Sequence, residues 1–128
     1  MKLLLDTCAF LWLNLDLRRV PARIQRVCAD PDNEVYLSAV SVWEISVKHY
    51  AGRLQLPEPP HLFIPKQRRL NGATPLRLRE SAVYQLSKLP ELHKDPFDRM
   101  LVCQAIAHSL ALVTPDEWIS RYPVRVLW

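Results

Sequence analysis

The chain has 128 residues, a mass of 14.9 kDa and a formal charge of +4, with a pI near 9.2. That is the size of one domain, expected to run over residues 1–128, and it needs neither disulfide nor metal to build a core. At 49% hydrophobic and 23% charged residues the composition is that of a globular protein and not of a disordered one. Twelve of the 17 basic residues are Arg, whose planar fork of donors suits phosphate. The only glycines, Gly52 and Gly72, are too few or too far apart for a dinucleotide fingerprint, a phosphate loop or a nucleophile elbow. Cys8, Cys28 and Cys103 form no C-x-x-C pair, so a thiolate zinc site is disfavoured and a reducing, cytoplasmic setting is expected. The apolar stretch Leu3–Leu15 is too short to span a membrane and carries Asp6, so no membrane partner is expected.

Lys2–Leu5 has the pattern of a short strand buried on both faces. Thr7–Leu15 and Pro21–Ala29 read as helices, with Pro21 suited to a first turn. Glu34–Leu37 is a second strand. Ser38 is placed to cap a helix that runs to about Tyr50 and stops near Gly52. Pro57–Pro60 reads as a stiff loop, Pro65–Asn71 as a short helix ended by Gly72, and Ala73–Leu78 as a third strand. Arg79–Leu89 is helical until Pro90. Asp95 is placed to cap a long helix over Pro96–Ser109. Leu110–Val113 is a fourth strand, Thr114 caps a short helix, and Val124–Leu127 is a last strand. Apolar strands alternating with helices predict an α/β fold with a parallel sheet covered on both faces. Ligands of such sheets sit outside the carboxyl ends of the strands.

Four acids fall where that rule places a site. Asp6 directly follows the first strand, although it is also placed to cap the next helix. Asp98 lies in the first turn of the long helix, with Asp95 as its cap. Asp116 follows the fourth strand, and a capping box of Thr114 with Glu117 would explain the surrounding residues. Glu44 is past the first turn of its helix, so capping does not account for it. Taking Val40, Trp43, Val47 and Tyr50 as the apolar stripe puts Glu44 on the stripe's edge, where Lys48 is one turn away. Carboxylates brought together raise one another's pKa values, and a divalent cation removes that penalty. An all-oxygen site favours Mg²⁺ or Mn²⁺.

At these residues the sequence resembles a PIN-domain ribonuclease, specifically a VapC-type toxin of a bacterial type II toxin–antitoxin pair. Leu3-Leu4-Leu5-Asp6-Thr7 is similar to the family's opening strand and first acid, and Ser41–Ile45 to its second-acid helix. His93–Val102 carries the most specific motif, with Asp98 as the third acid. Leu112–Asp116 resembles the fourth-acid segment, and Tyr122–Trp128 the family's ending. The resemblance implies a three-layer α/β/α fold with a central parallel sheet of about five strands. It implies RNA hydrolysis dependent on Mg²⁺ or Mn²⁺ held by Asp6, Glu44, Asp98 and Asp116. Products with 5′-phosphate and 3′-hydroxyl ends, a small VapB-like antitoxin and a homodimer are implied with it. Many relatives carry His where this chain has Cys8. Thr7 is a candidate for orienting the carboxylates, Asp95 is a secondary candidate, and Arg99 is a candidate phosphate contact. Lys66, Arg68 and Arg69 form the densest basic run, read as either an RNA contact or a solvated helix face, and His93 reads as a loop hydrogen-bonding residue. Two rival readings are another metal-dependent phosphoryl hydrolase, such as a small-molecule phosphatase, and an inactive interaction module that kept the fold. Cys8, where a haloacid-dehalogenase phosphatase would need a second Asp, argues against the first. The four filled acid positions argue against the second.

Overall fold

The computed structural model describes residues 1–128. Its centre is a five-stranded, wholly parallel sheet built from β1 (Lys2–Leu5), β2 (Glu34–Ser38), β3 (Ala73–Leu76), β4 (Ala111–Val113) and β5 (Val126–Leu127), in the order β3-β2-β1-β4-β5. Side chains alternate across a strand, and β1 shows this directly. Leu3 and Leu5 join Val35, Leu37, Ala111 and Val113 on one face. Leu4 points the other way with Leu112. All three leucines of β1 are fully buried, as a middle parallel strand requires.

Helices cover both faces, giving the expected three layers. The first face packs against α1 (Thr7–Leu15), α2 (Ala22–Ala29) and α4 (Pro60–Leu70) through Ala9, Phe10, Ile24, Phe63 and Ile64, with Ile45 of α3 (Ala39–Tyr50). Phe10 and Phe63 meet edge to face, with ring centres 6.4 Å apart. The second face packs against α6 (Pro96–Ala107) through Leu101, Val102, Cys103 and Ala105. The short helix α5 (Glu80–Val83) and a 3₁₀ turn over Tyr84–Lys88 lead into α6. None of the helices is long and apolar enough to cross a membrane.

Most of the expected elements form, and the departures have local causes. The helix read as starting at Pro65 begins at Pro60, which takes the first helical position where a missing amide costs nothing. Pro65 sits inside it, and the burial of Phe63 and Ile64 offsets the lost backbone bond. β3 ends at Leu76 instead of Leu78, and it tolerates Pro75 because it is an edge strand. The segment read as one helix over Arg79–Leu89 divides into α5 and the 3₁₀ turn. No helix follows Thr114. The chain turns there through side-chain-closed bends and makes only a short 3₁₀ turn at Ile119–Arg121. The stripe assigned to α3 is also wrong. Trp43, Val47 and Tyr50 are exposed, and the buried face is Val40, Ser41, Glu44 and Ile45. Glu44 is therefore on the inner face of α3 and not at its edge.

Ser38 and Gln104 form a buried polar link. The Ser38 hydroxyl accepts from the Val40 amide and donates to Gln104 Oε1, tying the end of β2 to α6. Phe63→Ala is expected to cost about 3–5 kcal/mol, because a fully buried ring leaves a cavity its neighbours fill poorly. Denaturant unfolding at unchanged m-value measures this, and a loss under 1 kcal/mol would contradict the packing described.

Candidate metal centre

The sheet order reverses direction at β1. From there the chain steps outward through β2 and β3, then returns to the other side for β4 and β5. The crevice beyond the carboxyl ends of β1 and β4 is thus the topological switch point, the usual ligand site of such sheets. The Asp6 amide donates to the Val113 carbonyl at 3.0 Å, which locks the two strand ends together.

Asp6 is 2% exposed. Its Oδ1 accepts from the Ala9 amide at 2.6 Å and caps α1. Burial pushes its carboxyl up to about 7, opposed by hydrogen bonds from the Thr114 hydroxyl and the Ala9 amide; the charges of Glu44 and Asp116 push the same way as burial. Capping and a place among the acids are therefore compatible, since a carboxylate has two oxygens.

Glu44 is 4% exposed. Lys48, one turn on, donates to its Oε2, while Oε1 is buried without a partner. Burial works against the Lys48 ammonium, but the hydrogen bond to Glu44 and the charges of Glu44, Asp95 and Asp98 outweigh it and raise its pKa.

Asp98 sits in the first turn of α6, whose cap is Asp95. Asp95 Oδ1 accepts from the Phe97 and Asp98 amides at 2.9 and 3.1 Å, so Asp95 acts as a helix cap. The Asp98 carboxyl is free of that duty. Burial pushes it up to about 8, helped by the charges of Asp95, Asp6, Glu44 and Asp116.

Asp116 is reached through two successive turns closed by side chains. Its amide donates to Thr114 Oγ1 at 3.0 Å, and its Oδ1 accepts from the Trp118 amide at 2.8 Å. Glu117 plays no capping role. Thr114 is buried at the end of β4 and its Oγ1 fixes the Asp116 amide, while the Asp6 amide ties the end of β1 to Val113.

Sequence reasoning missed His93 as a member of this group. Ligand-capable atoms of His93, Asp98 and Asp116 lie within 4.8 Å of one another, and His93 Nε2 is 3.7 Å from Asp98 Oδ2. The expected hydrogen bond is also present, between His93 Nδ1 and the Tyr122 hydroxyl at 2.8 Å. Its proximity to Asp98 in the chain was the available signal, but the chain does not reveal the direction of the ring.

The secondary candidates fare differently. The Thr7 hydroxyl donates to Ser41 Oγ at 3.0 Å, tying the start of α1 to α3 one turn before Glu44; it reaches no carboxylate. Arg99 Nη1 donates to the Pro90 carbonyl at 2.8 Å and to the Tyr122 hydroxyl at 3.2 Å, bracing the loop that precedes α6. Lys66 is paired with Glu58 at 2.8 Å on the outer surface. Arg69 is exposed on α4, whereas Arg68 lines a hollow with Arg77, Ala39 and Leu76 beside the carboxyl ends of β2 and β3. Cys8 neighbours the acids, and burial first, then Asp6, pushes its thiol up to about 12, which leaves it an unreactive thiol at neutral pH.

The arrangement suits a hard divalent cation. The donor set is rich in carboxylate oxygen, Glu44 Oε1 is buried and unpartnered, and Asp6 and Asp98 are both held toward their neutral forms by surroundings that a cation would reverse. Acids at the switch point of a parallel α/β/α sheet lie where such sheets bind ligands, and their oxygen-rich chemistry suits a cation.

The PIN domain family model matches residues 3–124, so the chain belongs to the PIN domain family. It is 38% identical over 50 residues to Ribonuclease VapC16 of Mycobacterium tuberculosis (strain ATCC 25618 / H37Rv), a match covering 39% of this chain but only 36% of that curated relative. Among solved structures it resembles VapBC2 of Rickettsia felis bound to a DNA fragment from their promoter, at a TM-score of 0.69 and 14% identity over 100% of this chain and 99% of that one. DNA-bound VapBC of Salmonella typhimurium superposes with a TM-score of 0.64 at 20% identity, covering 99% and 97% of the two chains. At these identities the likeness speaks for the fold.

Asp6 and Asp98 bind protons more tightly in the folded chain than at their ordinary value of 3.8. Raised carboxyls contribute stability at low pH and lose it as pH climbs from about 4 to about 8. In EDTA the wild type is therefore expected to melt at a lower temperature at pH 8 than at pH 5, with a smaller gap for Asp98→Asn. Melting curves with the same gap in both proteins would refute the stated burial of charge.

Proposed function

We propose that this chain, acting as one PIN domain over residues 1–128, is a metal-dependent endoribonuclease and the VapC-like toxin of a type II toxin–antitoxin pair. The observation that carries the reading is the approach of Asp98 and Asp116 to within 4.8 Å, together with His93, beside the buried carboxylates of Asp6 and Glu44, all drawn from separate segments. Family membership and the partial likeness to a VapC ribonuclease support RNA as the substrate.

Asp6, Glu44, Asp98 and Asp116 would hold Mg²⁺ or Mn²⁺. When bound, the cation supplies charge neutralisation at the scissile phosphate and a more acidic water for in-line attack. The chain's own residues prepare that site. Lys48 occupies Glu44 Oε2 and leaves Oε1 to the site. Thr114 fixes the Asp116 amide, and the caps at Ala9 and Trp118 prevent the Asp6 and Asp116 carboxylates from turning away. Lys94 and Arg99 line a hollow of about 370 Å³ next to His93, which offers basic groups to an RNA backbone close to the acids. Arg68 with Arg77 gives a second basic position at the same end of the sheet; Lys66 and Arg69 face elsewhere or are paired and contribute less.

The solved neighbours are VapBC assemblies, which supports a small VapB-like antitoxin as partner. A homodimer fits the exposed Trp43, Val47 and Tyr50 on the outer face of α3. Three free cysteines fit a cytoplasmic location.

Purified protein is expected to cleave RNA with Mg²⁺ or Mn²⁺ and to stop in EDTA. Asp6→Asn and Asp98→Asn should each lose about 3 kcal/mol of transition-state stabilisation, or roughly 100-fold in rate. Equal cleavage by wild type and both variants would mean a contaminating nuclease and defeat the proposal. Hydrolysis of a small phosphoester without RNA cleavage would favour a phosphatase, and inactivity on both would favour an interaction module.

A further inference from the structure

Besides Glu44 Oε1, one other polar atom among the acids is buried without a hydrogen bond: His93 Nε2. Whether it presents a lone pair or an N–H decides what it does, and Tyr122 settles the question. The Tyr122 side chain is 3% exposed, and its hydroxyl oxygen has three partners. Arg99 Nη1 donates to it at 3.2 Å and the His93 backbone amide at 3.3 Å. Neither a guanidinium nor an amide N–H can act as an acceptor. With two bonds accepted, the phenol has its own hydrogen left, and the remaining partner is His93 Nδ1 at 2.8 Å. The hydroxyl therefore donates to Nδ1, and the proton of the neutral ring resides on Nε2.

We propose that His93 is a positioning residue for Asp98: its Nε2–H, oriented by Tyr122, faces Asp98 Oδ2 and sets the direction in which that carboxylate meets Asp116. The inference rests on the reading of the four acids as a cation site. The separation of 3.7 Å is beyond hydrogen-bond length, so the ring N–H acts on the carboxylate oxygen through its direction and partial charge. Buried as it is, Nε2 faces the carboxylate and not solvent. An N–H donor is not a metal ligand, so the donor set stays all-oxygen and retains its preference for hard cations. The same network gives Arg99 a role, since its guanidinium fills one acceptor site of Tyr122 and thereby forces the hydroxyl's hydrogen onto Nδ1.

Imidazole ¹⁵N NMR of histidine-labelled, metal-free protein tests the tautomer directly, at a pH where imidazole is neutral and with His93→Gln to assign the signal. A protonated Nε2 with an unprotonated Nδ1 is expected, unchanged on adding Mg²⁺. The opposite tautomer overturns the proposal and makes Nε2 a candidate ligand. Calorimetric Mn²⁺ titration supplies the second readout. His93→Ala should weaken binding roughly 10-fold. His93→Gln, whose amide places an N–H near the same point, should restore most of it, and Tyr122→Phe should weaken binding and disturb the tautomer. Circular dichroism and melting curves check each variant's fold; if His93→Ala does not fold, the comparison of Tyr122→Phe with wild type decides. Full-strength binding by a folded His93→Ala or by Tyr122→Phe overturns the role of His93 and leaves the cation site standing. No Mn²⁺ binding by wild type would overturn both.

Discussion

The constraint on which this structure turns is that β1 lies in the middle of a parallel sheet. Leu3, Leu4 and Leu5 are fully buried, and helices cover them from both sides. A strand in that position has only its ends at the surface, so the residue that follows it must emerge at the sheet's carboxyl edge. That residue is Asp6, bonded through its amide to the end of β4. The same hydrophobic burial that holds the sheet together removes water from the carboxylate and pushes its pKa up. Stability of the sheet and charge at its edge therefore work against each other.

The chain meets this conflict by giving each acid a partial partner. Asp6 takes an amide and a hydroxyl, Glu44 an ammonium on one oxygen, and Asp116 an amide. Asp98 receives least and is pushed furthest from its ordinary value. Glu44 gives one oxygen to Lys48 and keeps the other buried without a partner, while Asp6 and Asp116 each give Oδ1 to a local amide. Capping does not exclude a place among the acids at Asp6 or Asp116, because each carboxylate carries a second oxygen. The modest overall charge has the same origin. With four of 13 acids drawn to one crevice, nine remain against 17 bases elsewhere, and the remainder of the molecule is markedly basic. Such a distribution draws in a polyanion while keeping an acidic point within reach of it.

Local signals in the sequence were dependable where local physics decides. The span of α1, the caps Ser38 and Asp95, and the stops near Gly52 and Ser109 depend on backbone amides within a few residues. They failed where packing decides. Pro65 reads as a helix start, yet burial of Phe63 and Ile64 carries the helix through it. Trp43, Val47 and Tyr50 read as a core stripe by hydropathy, yet the neighbours of α3 select the face with Ser41 and Glu44, where Ser41 meets Thr7 of α1.

The sequence by itself determined the α/β class and the alternation of strands and helices, because strand burial and spacing are written in consecutive residues, while the four acids stood out as a set through their resemblance to a family pattern. Tertiary structure alone decided how those acids meet and how they are charged. The raised pKa values of Asp6 and Asp98 depend on desolvation and on charges from segments far apart in the chain, which no local pattern encodes. It also decided the part taken by His93. The direction of its ring follows from a hydroxyl at Tyr122 and a guanidinium at Arg99, three groups whose hydrogen bonds must be satisfied together.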